Sequence, residues 1–252
     1  MKKVITLAFI TFTSCLLAQP DLETSSSDHK LQIGLAAVTS QSIYQGGNNQ
    51  TRVFPAIDYQ YKRFYFQAGD LGFKVIDEGN WEVDFGLGVD LIGDVDRGDS
   101  PLLENLPDIS LPLNAFTSAQ YKSSIGLFKI KHNHEINNKH NGNTSSLSYS
   151  APIFAGKWLL LPQLSYEHYS AEVINYFFGV TPTDASVDFP AYRASSGTAF
   201  SLSILSLYQI NNKWSFVGNL KNDFLGDEIT DSPIVDSDQR FSVFAGFLYK
   251  FF

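Results

Sequence analysis

The chain has 252 residues, 44% of them hydrophobic and only 17% charged, with a formal net charge of −8. Its acidic balance, with no Lys/Arg cluster longer than two, argues against a nucleic-acid partner, which would need a basic patch. The charged share lies below the ~25% of ordinary soluble domains, while 21 Phe and 12 Tyr make the chain rich in aromatics.

The N-terminus reads as a secretory signal over residues 1–18. Lys2-Lys3 form a short basic region, Val4 to Ile10 an apolar core, and neutral residues follow to Ala18. Phe12-Thr13-Ser14-Cys15 loosely resembles a lipoprotein cleavage box, which leaves a second reading of the same segment open. Cleavage after Ala18 would remove Cys15, the one cysteine, so no disulfide or thiol chemistry would remain. Residues 19–30 are polar and serine-rich and read as a flexible lead-in; residues 31–252 form the remaining domain. No apolar run after Ala18 approaches the ~20 residues of a spanning helix. A membrane protein of this kind can only be a closed barrel.

The rest of the chain alternates with the period of two of half-buried strands. Leu31 to Ser40 alternates loosely, and Gly46-Gly47 marks a loop. Val53, Pro55, Ile57, Tyr59 and Tyr61 share one face, and Pro55 would be awkward in a central soluble strand. Lys62-Arg63 is a tight turn before short strands at Phe64–Gly69 and Leu71–Ile76. Trp81 to Leu91 alternates most cleanly: Trp81, Val83, Phe85, Leu87, Val89 and Leu91 against Glu82, Asp84, Gly86, Gly88 and Asp90. That length matches the ~9–11 residues of a tilted strand crossing a bilayer. After an acidic loop at 93–108, strands are expected at Ile109–Tyr121, Ile125–Glu135, Ser145–Ser150, Trp158–Tyr169, Tyr192–Tyr208 and Trp214–Phe224. Long loops fall at 172–190 and 225–238. The terminal strand, Phe241 to Phe252, places Phe247, Tyr249 and Phe251 on one greasy face and reads as an assembly signal for the barrel-assembly machinery.

Short turns belong on the periplasmic side and long loops outside. Parity then requires Phe64–Gly69 and Leu71–Ile76 to be two strands, joined by an outside turn near Asp70. The expected fold is all-β: a transmembrane antiparallel up-and-down β-barrel of about 12 strands, with 10 as the alternative. Trp81, Trp158 and Trp214 would begin strands just above inside turns and, with Tyr249, form an aromatic girdle in outer-membrane lipid.

No catalytic, metal or cofactor site is expected. His132 and His134 share a strand face without a set of ligands beside them and read as lumen or loop-end residues. His168 beside Glu167 has no nucleophile motif of the Gly-x-Ser-x-Gly type. Glu82, Asp84 and Asp90 line the lumen face of one strand and could bias a pore towards cations.

Several segments resemble the MipA/OmpV family of outer-membrane proteins. They are Ser42-Ile43-Tyr44-Gln45-Gly46, Phe54-Pro55 leading into Asp58-Tyr59, and Phe64 to Phe66 with Gly69 and Gly72. More specific are Asn175-Tyr176-Phe177-Phe178-Gly179-Val180-Thr181 and Asp231-Ser232-Pro233-Ile234-Val235; Tyr192-Arg193-Ala194 with Gly197 lies between them, and the Tyr-x-Phe ending at Tyr249 and Phe251 closes the set. The resemblance implies a non-enzymatic bacterial outer-membrane barrel, in some members a scaffold joining a lytic murein transglycosylase to a penicillin-binding synthase. Other members are linked with adhesion, osmotic or antibiotic responses. A small-solute channel or an adhesion-type barrel is the alternative.

Overall fold

The computed structural model describes residues 29–252 apart from Asp90 and Leu91. The expected signal segment and nearly all of the lead-in lie outside the described residues. β1 (His29–Ser40) takes up the last two lead-in residues. The other strands are β2 (Gln50–Tyr61), β3 (Phe64–Gln67), β4 (Asp70–Glu78), β5 (Trp81–Gly88), β6 (Asn114–Ser123), β7 (Gly126–Glu135) and β8 (Asn143–Ser150). They continue with β9 (Ile153–Ala155), β10 (Trp158–Tyr169), β11 (Gly197–Gln209), β12 (Trp214–Leu225) and β13 (Gln239–Lys250). Two helices, α1 (Ala171–Phe178) and α2 (Asp227–Thr230), lie in the connections on either side of the β11–β12 hairpin.

Every strand is antiparallel to its neighbours, and β13 pairs with β1 from Gln32↔Lys250 to Ser40↔Ser242, closing the sheet. β8 and β9 both pair with β10. They are one stave interrupted at Ala151-Pro152, where proline has no N–H to give the ladder. The barrel therefore has twelve staves, as parity requires. The short β3–β4 hairpin is present, turning at Ala68-Gly69.

Closure is what makes this sheet compatible with a bilayer, because an unpaired edge in hydrocarbon leaves backbone groups unsatisfied. The alternation of outward and inward side chains follows. On β2 every odd residue from Thr51 to Tyr61 is exposed and every even one half-buried. A bulge between Lys74 and Ile76 sets two successive side chains, Val75 and Ile76, on the outside.

β3 pairs with β2 only at 58–61, so the upper half of β2 has β1 as its strand partner among the described residues. Odd residues of β1 bond to β13, as Phe251 N–H to the Leu31 carbonyl (2.9 Å) and Gln41 N–H to the Phe241 carbonyl (2.9 Å) show. Even residues of β1 therefore bond to β2, and Pro55 directs its missing donor away from β1, to the flank where no strand lies. The proline that looked awkward in a central strand occupies the edge position that tolerates it.

Three strand limits fall three residues or more short of the expectation. β5 stops at Gly88, and Val89 and Ile92 are buried. β6 starts at Asn114; the preceding stretch bonds to Tyr176 and Asn137 through Ser110, Leu111 and Leu113 and buries Pro112. β11 starts at Gly197; Tyr192 instead makes an isolated bridge with Val180. In all three the apolar residues continue past the wall into the loops, where alternation no longer reports a strand.

Trp81, Trp158 and Trp214 are the first residues of β5, β10 and β12, all exposed on the outward face. Each stands opposite a tyrosine on the next strand: Trp81 with Tyr121 (4.8 Å between ring centroids), Trp158 with Tyr208 (4.6 Å) and Trp214 with Tyr249 (5.2 Å). At the closing seam the ring of Phe251 packs edge-on against Tyr249 at 5.0 Å, while Phe252 only nears His29 at 6.4 Å. Phe251→Ala is therefore expected to lower the membrane-inserted fraction more than Phe252→Ala, measured by heat-modifiable mobility; equal loss would place the register of the signal elsewhere.

Candidate functional site

The extracellular connections fold into a cap. Its centre is an apolar cluster of 15 buried residues, among them Ile43, Tyr44, Ile92, Leu103, Ile174, Phe177, Phe178, Val180, Ile229, Ile234 and Val235. Tyr169 and Ala199, at the upper ends of β10 and β11, join it to the wall. These side chains gain from burial in a way the outward wall residues do not. Lipid replaces one apolar surrounding by another, whereas the cap removes its residues from water, worth about 1.5–3 kcal/mol for a fully buried large side chain.

α1 supplies four of the buried residues. Val173, Ile174, Phe177 and Phe178 lie on one face at helical spacing. This spacing of four is the signal that a search for strand alternation passes over, and the expected 172–190 loop therefore hides a helix. Glu172 sits in the first turn, where a carboxylate suits the helix dipole. The helix ends at Gly179, whose N–H bonds the Asn175 carbonyl (3.0 Å). A side chain on Gly179 would meet that carbonyl oxygen at 2.4 Å, so glycine is required by close approach.

The two specific motif blocks meet here. Ser232 donates its hydroxyl to the Phe178 carbonyl (2.6 Å), and Tyr44 stacks on Phe178 at 5.8 Å. The Tyr44 hydroxyl reaches the Phe177 carbonyl (3.4 Å), and burial raises its pKa well above the ordinary phenol range. Gln45 N–H bonds the Ile234 carbonyl and Asp236 N–H the Ile43 carbonyl (both 2.9 Å). Val180 and Tyr192 exchange two backbone bonds, and the Tyr192 hydroxyl donates to the Glu228 carbonyl (2.9 Å). Asn175 clips Ala194 through both of its backbone groups, at 2.8 and 2.9 Å. Tyr176 lies at the cluster edge, its hydroxyl on the Ser110 carbonyl (2.7 Å). Pro233 follows Ser232 in the bend that turns Ile234 and Val235 into the cluster.

The acidic segment after β5 is tied to the inner face of β2. Arg52 bridges Asp94 (3.0 Å) and Asp96 (2.6 Å), and Gln50 donates to Asp99 (3.1 Å). Burial and the neighbouring Asp94 charge raise the Asp96 pKa, an effect Arg52 partly offsets. From below, Arg240 holds the Ile92 carbonyl while its guanidinium pairs with Asp223 (3.0 Å).

The 136–142 connection is organised by one carboxylate that alternation did not single out. Glu135, at the end of β7 and 2% exposed, accepts the backbone N–H groups of Asn137, Lys139, His140 and Asn141, the last three at 2.7–2.8 Å. Four donors converging on one anion form a nest that fixes the loop.

The lumen acids divide. Glu82 and Asp84 face inward as expected; Asp90 lies outside the described residues. Glu82 pairs with Lys74 (2.7 Å), and Asp84 accepts the hydroxyls of Tyr65 (2.7 Å) and Ser118. Asp70 pairs with Lys131 (2.7 Å), and buried Lys129 stands in the same wall. Opposite, Asp223 holds Lys221, Arg240 and Ser201. Lysines and hydroxyls thus offset the carboxylates that pointed to cation preference. His132 and His134 face outward, not into the lumen, and Glu135 points inward. His168 is also outward and Glu167 inward, so the two do not meet as a catalytic pair. Among the described residues no three His, Cys, Asp or Glu side chains gather as metal ligands. A hollow of about 300 Å³ opens beside α1, lined by Glu172, Asn175, Thr181, Tyr192 and Arg193.

Residues 33–251 match the family model described as MltA-interacting protein MipA. The chain belongs to the MipA/OmpV family. Putative outer membrane protein YiaT of Escherichia coli strain K12 is 23% identical over 229 residues, covering 90% of this chain and 93% of that protein. Outer membrane protein OmpV of Vibrio cholerae is 31% identical over 118 residues, 47% of this chain and 46% of OmpV. Among solved structures, the COG4313 outer membrane channel from Pseudomonas putida F1 matches 88% of this chain and 96% of its own, with a TM-score of 0.41 and 11% identity. The chain is a bacterial outer-membrane barrel of the MipA/OmpV type. In this family member the Tyr44 segment, the Asn175–Thr181 block and the Asp231–Val235 block are three walls of one cap.

Glu135→Gln keeps the shape but removes the charge from four donors. It is expected to cost roughly 2–3 kcal/mol and to expose the 136–142 loop to limited proteolysis, with the barrel still heat-modifiable. His140 accepts the Gly142 N–H on Nδ1 (2.9 Å) and packs against Tyr176 at 5.2 Å. Burial lowers its pKa, with Glu135 and Glu172 opposing and His134 adding to the shift. A histidine held neutral loses its stabilising contribution as pH falls through the ordinary value near 6.5. Protease resistance of the cap should therefore fall below about pH 6.5, and His140→Asn should flatten that dependence.

Proposed function

We propose that this chain is a non-enzymatic structural barrel that serves as an envelope scaffold for murein synthesis and maintenance. The observation that carries the reading is the cap. A mouth filled by a packed apolar cluster, above a lumen whose described charges are largely paired, suits a platform better than a conduit. The matched family is described as MltA-interacting, and the family resemblance implies a lytic murein transglycosylase as the partner. A penicillin-binding synthase is the second partner that a scaffold of this type would hold.

The docking surface would be the periplasmic rim, since the cap faces the other way. Its turns and strand ends carry Lys62, Arg63, Lys122, Lys157, Lys213 and Lys250 against Asp77 and Glu78. A basic rim favours a partner with an acidic face. Crosslinking in intact envelopes followed by purification of the barrel should recover the transglycosylase. Lys157→Glu/Lys213→Glu should reduce that recovery severalfold without changing barrel assembly. A clean pull-down from wild-type cells would overturn the scaffold reading. The channel alternative makes the opposite prediction in planar bilayers: on the scaffold reading the refolded full chain should show no steady conductance, whereas persistent single-channel steps would favour solute passage.

A further inference from the structure

The outward wall changes character along one cross-strand row. His132 stands opposite Thr117 on one side and Ser145 on the other, and Ser145 stands opposite His168, which in turn faces Thr198. The next row towards the membrane centre is Ala119, Ile130, Leu147, Tyr166 and Phe200, apolar throughout except for the tyrosine hydroxyl. The first row is therefore the upper limit of the hydrocarbon on this side of the barrel. One step further out lie His134 and its neighbour Asn143.

This band carries three imidazoles. Among the described residues, no carboxylate points outward from the strands in the outer half of the wall. The loops are otherwise acidic, and only Arg97, Lys139 and Arg193 are basic in the described extracellular connections. Arg97 is held on the Pro107 carbonyl (2.9 Å), whereas Lys139 follows β7 and Arg193 precedes β11. The acids in these two connections are Glu172, Asp184 and Asp188, and Asp184 lies within electrostatic reach of Arg97. His132 Nδ1 is 2.9 Å from the Ser145 hydroxyl, which leaves Nε2 of an exposed ring for a ligand.

From this juxtaposition we infer that the outer band of β7, β8, β10 and β11 docks the phosphorylated glucosamine headgroup of an outer-leaflet glycolipid. Imidazole N–H groups and the Ser145, Thr117 and Thr198 hydroxyls supply donors to phosphate oxygens and sugar hydroxyls at the depth where a headgroup begins. Lys139, exposed in the 136–142 connection, contributes positive charge above them, whereas Arg193 lies within electrostatic reach of Glu172. The acyl chains lie along Ile130, Leu147, Tyr166 and Phe200 below. A phosphate at this level would meet no wall carboxylate.

The test uses the full chain folded in detergent and titrated with bisphosphorylated lipid A, or with the same lipid A stripped of both phosphates, read by native mass spectrometry. Wild type should bind the phosphorylated form about tenfold more tightly, the effect of a few charge-assisted hydrogen bonds at a partly solvated surface. His132→Ala/His168→Ala should remove most of that difference, while Thr39→Ala/Thr51→Ala, on the opposite wall, should leave it unchanged. Heat-modifiable mobility verifies folding of each variant. Equal affinity of wild type for the two lipids overturns the inference without reference to any variant. So does a histidine pair variant that folds and still discriminates, or equal loss in the threonine variant.

Discussion

A strand inside a bilayer has no water to satisfy its backbone, and this structure is arranged around that constraint. Closure of β13 onto β1 gives the edge residues their hydrogen bonds and fixes the face of every side chain around the ring. Where the wall is incomplete, beside the upper half of β2, proline removes one donor and the acidic segment after β5 is tied to the inner face by Arg52. The departures from a regular barrel occur where the chain has another way to meet the same demand.

Above the membrane the driving force changes. The wall gains nothing from turning apolar residues towards lipid beyond being soluble there, but the cap faces water and gathers Phe177, Phe178, Ile174, Ile229 and Ile234 by the hydrophobic effect. Hydrogen bonds then fix its parts: Ser232 on Phe178, Tyr192 on Glu228, Asn175 on Ala194 and the Glu135 nest under the neighbouring loop. The cap behaves as a small water-side core carried on a lipid-side scaffold.

Charge is sorted along the same axis. Lumen carboxylates are matched by lysines, arginine and hydroxyls, which lowers the cost of enclosing them. The outer connections are acidic, the periplasmic turns are basic apart from Asp77 and Glu78, and among the described residues the outward face of the upper wall carries imidazoles but no carboxylate. A scaffold reading draws on the basic rim and a glycolipid reading on the imidazole band; the two surfaces lie at opposite ends of the barrel.

The amino-acid sequence by itself determined the barrel. Period-two alternation, strand length and the segregation of short and long connections led to about twelve staves, because a closed membrane sheet allows each residue only two directions; ten stayed the alternative until the β3–β4 hairpin was seen to form. It also marked the motif blocks, whose residues proved to be cap components. It did not show α1, since Val173, Ile174, Phe177 and Phe178 follow a helical spacing inside a segment that looked like a loop. It could not assign partners to Glu82 and Asp84, because Lys74 and the Tyr65 and Ser118 hydroxyls reach them across strands, and alternation gives only the face. The orientation of His132 and His134 was fixed only when β7 was set in register between β6 and β8, since polar residues occupy both faces near its end. What tertiary structure decided was the meeting of Tyr44, Phe178 and Ser232: their separation in the chain is bridged by barrel closure, and no local pattern encodes that proximity.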